Sequence, residues 1–106
     1  MPKYLLNVSY TAQGAQGLQK DGGSKRKAVA AAAAKSLGGK IEAFHFAFGP
    51  SDAIVIVDLP DTASAVALSL ALNGSGAMTG SLTPLISVDE MDAACKKEVR
   101  YTAPGA

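Results

Sequence analysis

The sequence has no tryptophan, one cysteine and one histidine, and its aromatic content is only 6%. A single cysteine, Cys95, excludes an internal disulfide and any cysteine-based zinc cluster. It fits a reducing compartment, so a cytoplasmic location is expected. One histidine makes no metal site, and no metal or other cofactor is expected. No apolar run reaches about 18 residues without polar interruption, which leaves no candidate membrane span and no membrane partner. The N-terminal stretch MPKYLLNVSY lacks the apolar core of a secretory signal. A net charge of +1 argues against dedicated nucleic-acid binding.

What is present is mostly small. Hydrophobic residues make up 48% of the 106, but many are alanine. A core built from alanine buries little area per residue, so part of it is expected to be completed across a subunit interface. The length corresponds to one domain, expected over residues 1–98 with a flexible tail over 99–106. Charge is unevenly placed. Lys20, Lys25, Arg26, Lys27, Lys35 and Lys40 face only Asp21 between residues 20 and 40, whereas residues 41–95 contain no Lys or Arg and seven carboxylates. A basic zone and an acidic remainder follow, an arrangement that suits both plain solvation and head-to-tail assembly.

Hydrophobic periodicity predicts four strands. KYLLNVSY (3–10) alternates, with Tyr4, Leu6, Val8 and Tyr10 on one face and Leu5, Asn7 and Ser9 on the other. TAQG (11–14) and QKDGGS (19–24) read as loop, with room for a short helical turn between them. Ser24 is expected to cap a helix over 25–37 that stops at Gly38-Gly39. A strand over 40–48, KIEAFHFAF, turns at Gly49-Pro50-Ser51 into DAIVIVD (52–58), and the short turn makes the pair a hairpin. The second of these is continuously apolar, which implies a central position buried on both faces. Pro60-Asp61 begins a helix over 61–73. A strand over roughly 80–88 carries Leu82, Pro84, Ile86 and Val88 on one face, and Pro84 makes it an edge strand or a bulged one. Ser87 and Glu90 form a capping box for a last helix over 88–98, on which Cys95 is expected to be partly buried.

The order β-α-β-β-α-β repeats one β-α-β unit twice. Right-handed crossovers give a four-stranded antiparallel sheet in the order 4-1-3-2 with both helices on one face, an α+β, ferredoxin-like fold. The other sheet face is bare. Phe44, Phe46 and Phe48 are assigned to the helix side because alanine-rich helices leave space there. His45 then faces the bare side, near Asn7 and Ser9. A bare face of mixed polarity invites a second copy, and the cleft between two such sheets would be a pocket.

Three stretches carry a family resemblance: SYTAQG with Tyr10, Thr11, Gln13 and Gly14; LGGKIEAF (37–44); and GPSDAIVIVDLPD (49–61). They resemble the GYD family, named for a Gly-Tyr-Asp motif, over about residues 1–90. Ser51 stands where the motif has tyrosine, so any role of that phenol is absent here. At the His45 position relatives often carry an aromatic residue. The resemblance implies a ferredoxin-like domain of the dimeric α/β-barrel type that assembles through its sheet faces, in a family without a settled activity.

Candidate sites follow from residue chemistry. His45 suits a general base, or a ligand-binding group beside Asn7 and Ser9. Asp52 could orient such a base or take part in binding, or it could tie up backbone N–H groups at the turn. Ser24, Lys25, Arg26 and Lys27 at a helix start suit an anion, although cations at the positive end of a helix dipole are otherwise unfavourable. The expected function is a cytoplasmic homo-oligomeric small-ligand-binding or accessory module with its pocket at the sheet face. The alternative is a cofactor-free, oxygenase-like enzyme with His45 as base.

Overall fold

The computed structural model describes residues 1–106. Strand β1 (Lys3–Tyr10) is followed by helices α1 (Ala12–Asp21) and α2 (Gly23–Ser36), a hairpin of β2 (Lys40–Phe46) and β3 (Ala53–Asp58), helix α3 (Thr62–Gly74), strand β4 (Met78–Leu85) and helix α4 (Val88–Cys95). The strands form one antiparallel sheet in the order β2-β3-β1-β4, which is the expected order read from the other edge.

Alternation in β1 decides which face is covered. Tyr4, Leu6 and Val8 are buried, together with Ala53, Val55 and Val57 from β3, and they pack with Ala34 of α2 and Ala65 and Leu68 of α3. The alanines of α2 and α3 let the helices lie close to the sheet. β3 is central, but its faces differ. Ala53, Val55 and Val57 are fully buried, whereas Ile54 and Ile56 on the bare side are only half-buried.

The pairing of β2 with β3 contains a bulge. Ile41 lies opposite Val57 and Ala43 opposite Ile56, leaving Glu42 as an extra residue. An inserted residue reverses facing beyond it. Ile41 therefore joins Phe44 and Phe46 on the helix side, and Glu42, Ala43 and His45 face the bare side. Glu42 meets Lys3 there: the Lys3 ammonium donates to Glu42 Oε2 at 2.6 Å and to Asp58 Oδ1 at 2.8 Å, bridging across β3. The hydrogen bond from Lys3 holds the buried Asp58 carboxyl below the usual carboxylate range, and the same contact raises the Lys3 pKa.

Several boundaries differ from expectation. Residues 12–21 form a ten-residue helix rather than a loop. Thr11 is its N-cap, accepting from the Gly14 N–H at 3.2 Å. Helix α2 then starts at Gly23 with Gly22, at φ +84°, as the break between the two, so Ser24 lies in the first turn and does not cap. β2 ends at Phe46. Phe48 is not buried under the helices: it lies beyond the strand at φ +54°, 63% exposed, stacked on Phe46. β4 begins earlier and ends earlier than the alternation suggests. The capping box at Ser87 and Glu90 pulls residues 86–88 out of the sheet, so Ile86 and Val88 are exposed, while Met78 takes a buried place at the other end. Pro84 does lie on an edge strand, and it is exposed. Every residue of α4 is exposed, Cys95 among them, because the helix lies beyond the covered face of the sheet.

Side-chain bonds fix the helices to the strands. Asp61 caps α3 by accepting from the Ser64 N–H at 2.8 Å, and that bond holds its carboxyl below the usual range. Asn73, near the end of α3, accepts from the Gly80 N–H at 2.9 Å and donates to the Gly80 carbonyl at 3.1 Å, so its amide stands in for a neighbouring strand at the β4 edge.

Candidate functional site

The small side chains that bring α2 near the sheet do not fill the space beneath it. A cavity of about 70 Å³ remains between the helices and the covered face. Leu6 and Val55 form part of its floor, Ala30 and Ala33 part of its roof, and 14 of its 15 lining residues are hydrophobic. The exception is Arg26, in the second turn of α2. A second, more open cavity of about 200 Å³ lies beside α1, lined by Gln13, Gly14, Gly17 and Asp21 among others. Tyr10, Arg26 and Met78 belong to the walls of both. Arg26 thus lies where an outer vestibule meets an inner apolar space.

Arg26 has no carboxylate partner. The ion pairs of the chain are Lys3 with Glu42 and Asp58, and Lys25 with Asp21 at 3.5 Å. Asp21 lines the vestibule but is engaged by Lys25. Helix α2 has a glycine N-cap with no side-chain acceptor, so its first-turn N–H groups are not capped by a side chain.

The anion-binding cluster expected at the start of α2 does not converge. Lys25 turns to Asp21, Arg26 to the inner cavity, and Lys27 to an open groove with Lys35, Lys40 and Glu42 between α2 and β2. Ser24 is exposed and lines none of these spaces. Helical geometry is the reason, since successive residues point about 100° apart. No group of three or more His, Cys, Asp or Glu side chains is placed to hold a metal ion.

His45 lies on the bare face and is exposed. It shares a cross-strand row with Ile54, Asn7 and Ser81, so two strand spacings, about 9–10 Å, separate it from Asn7. Ser9 is in the next row, opposite Thr79. None of the four main cavities includes Asn7, Ser9, His45 or Asp52. Asp52 is engaged elsewhere. Its Oδ2 accepts from the Tyr10 N–H at 2.8 Å, and its own N–H donates to the Val8 carbonyl at 2.7 Å. The carboxylate thereby ties the hairpin turn to the end of β1.

The GYD domain matches residues 4–95. The chain belongs to the GYD-domain family. No curated protein and no solved structure matches it. The stretches that resemble the family are architectural as well as local. Tyr10 and Gly14 line the vestibule; Thr11 caps α1, donates from its hydroxyl to the Gly76 carbonyl at 2.9 Å and from its N–H to the Ala77 carbonyl at 3.0 Å. Asp52 locks this same corner from the other side. The inner cavity and Arg26's position on it were missed by sequence reading. The run of alanines in α2 was the available signal, because a helix of alanines above a sheet of valines and leucines leaves unfilled volume.

Proposed function

We propose that this GYD-domain chain is a small-ligand-binding module whose site is the apolar cavity beneath α2. The observation that carries the reading is the cavity itself: set between helices and sheet, lined almost wholly by hydrophobic residues, and bordered by one charged residue that could orient a ligand. The sheet-face pocket expected around His45 would need a second copy to enclose it.

The alternative, a cofactor-free oxygenase-like enzyme with His45 as base, draws less support from the geometry. A general base works when oriented and partly withdrawn from water. His45 is exposed, and the carboxylate expected to orient it, Asp52, is bonded to the Tyr10 N–H.

The cavity reading is tested with butan-1-ol as an apolar probe, followed through side-chain methyl resonances. Saturable shifts are expected at Ala30, Ala33 and Leu68, and Ala33→Leu, which fills the space, should remove them. Absence of saturable shifts in the unmodified protein overturns the reading.

The proposal extends to assembly with a second copy through the bare sheet face. Leu5, Ile54, Ile56 and Leu85 lie half-buried there with no helix over them, and only 13 of 106 residues are buried within one chain. Lys3 is matched by Glu42 and Asp58, so the face can meet its like without charge repulsion. Light scattering should give twice the chain mass, with Ile54→Lys reducing it to one. A stable monomer at micromolar concentration overturns this.

A further inference from the structure

We infer that the ligand of the inner cavity is a short aliphatic carboxylate, held with its chain under α2 and its head group on Arg26. The inference rests on the cavity reading above and adds the chemical class of the occupant.

Size limits the chain. A cavity of about 70 Å³ is roughly half of the 150 Å³ engineered cavity that holds benzene. That leaves room for about three or four carbons, with the remainder of a longer molecule in the vestibule. Apart from Arg26 and the phenol of Tyr10, the side chains of the inner lining offer that chain only apolar contact.

Charge selects the head group. Arg26 is a half-buried residue beside apolar walls, and it has no counter-ion within the chain. Its planar array of donors matches a carboxylate better than it matches a hydroxyl or a carbonyl. Arg26 also follows the uncapped first turn of α2, and the positive end of that helix dipole adds to the potential near it. The only carboxylate in the vestibule wall, Asp21, is paired with Lys25 and leaves Arg26 free for the ligand. Tyr10, shared by both cavity walls, sits beside the same junction.

The test compares pentanoate with pentan-1-ol, which share chain length and differ in charge, by titration calorimetry on the full chain and on Arg26→Gln. The acid is expected to bind about tenfold or more tightly than the alcohol, since a hydrogen bond to a charged group carries that order of preference. Arg26→Gln should bring the affinity for the acid down to that for the alcohol measured on the same variant. Equal binding of acid and alcohol to the unmodified protein overturns the carboxylate assignment and leaves the apolar cavity standing. An acid preference that survives Arg26→Gln also overturns it, because the charge would be read elsewhere. Binding of neither molecule removes the cavity reading and this inference with it. A circular dichroism melt of Arg26→Gln matching the unmodified protein separates lost binding from lost folding.

Discussion

Replacing Gly14 with alanine is expected to lower the melting temperature by about 12 °C or more. An added Cβ would stand 1.7 Å from the Ala77 carbonyl oxygen and 2.8 Å from its carbon. A backbone group cannot rotate aside as a side chain can. This carbonyl is also anchored, since it accepts the Thr11 N–H at 3.0 Å. Overpacking commonly costs about 1–3 kcal/mol and occasionally more, and a backbone clash belongs at the upper end. At about 4–8 °C per kcal/mol for a domain near this size, the upper figure gives the stated loss. Gly17, three residues on in the same helix, has nothing within 4 Å of its would-be Cβ. Gly17→Ala should therefore stabilise by about 0.5–1 kcal/mol through helix propensity alone. The paired melts, followed by circular dichroism, should move in opposite directions. A Gly14→Ala protein melting within a degree or two of the unmodified one would mean that α1 does not rest on residues 76–77.

Leu59→Ala is expected to remove about 2–5 kcal/mol of stability, from a total that for domains of this kind is about 5–15 kcal/mol. Leu59 has no exposed surface and joins Tyr4, Val57, Ala34, Ala65 and Leu68 in one cluster. It is among the largest fully buried side chains, and its neighbours include two alanines that cannot reach into the space it leaves. The backbone offers little relaxation either, because the Leu59 N–H is bonded to the Pro2 carbonyl at 3.1 Å. Urea unfolding should show the midpoint falling sharply with the slope unchanged. A loss under about 1 kcal/mol would place the core elsewhere.

Much of the fold was legible because its signals are local and periodic. β1 was bounded at 3 and 10 by simple alternation, α4 was announced by Ser87 and Glu90, and strand order followed from the repeated β-α-β unit. The misses share a different cause. Helix α1 shows in the sequence only as room for a short helical turn between two loops, because Gly14 and Gly17 weaken its pattern, and Gly14 is glycine for a contact with a residue 63 positions away. The bulge at Glu42 breaks a period-2 pattern that parity alone cannot mend, although the spacing of Ile41, Phe44 and Phe46 is its trace. Ile86 and Val88 continue the β4 alternation in sequence, but the cap that begins α4 turns them out. The candidate site was least legible. Arg26 looked like one of a row of cations, and only the helix's rotation separates it from Lys25 and Lys27.

The two outer strands bear on how this chain behaves when concentrated. A sheet edge with regular, unpaired N–H and C=O groups is a template on which further strands polymerise. At one edge, β2 is bent by the Glu42 bulge and begins at Lys40; at the other, β4 carries Pro84, which has no N–H to donate. Lateral growth into fibres is thus discouraged on both sides. Stacking on the bare face is self-limiting as well, because helices cover the opposite face and leave no surface for a third sheet. The native chain can therefore pair without propagating.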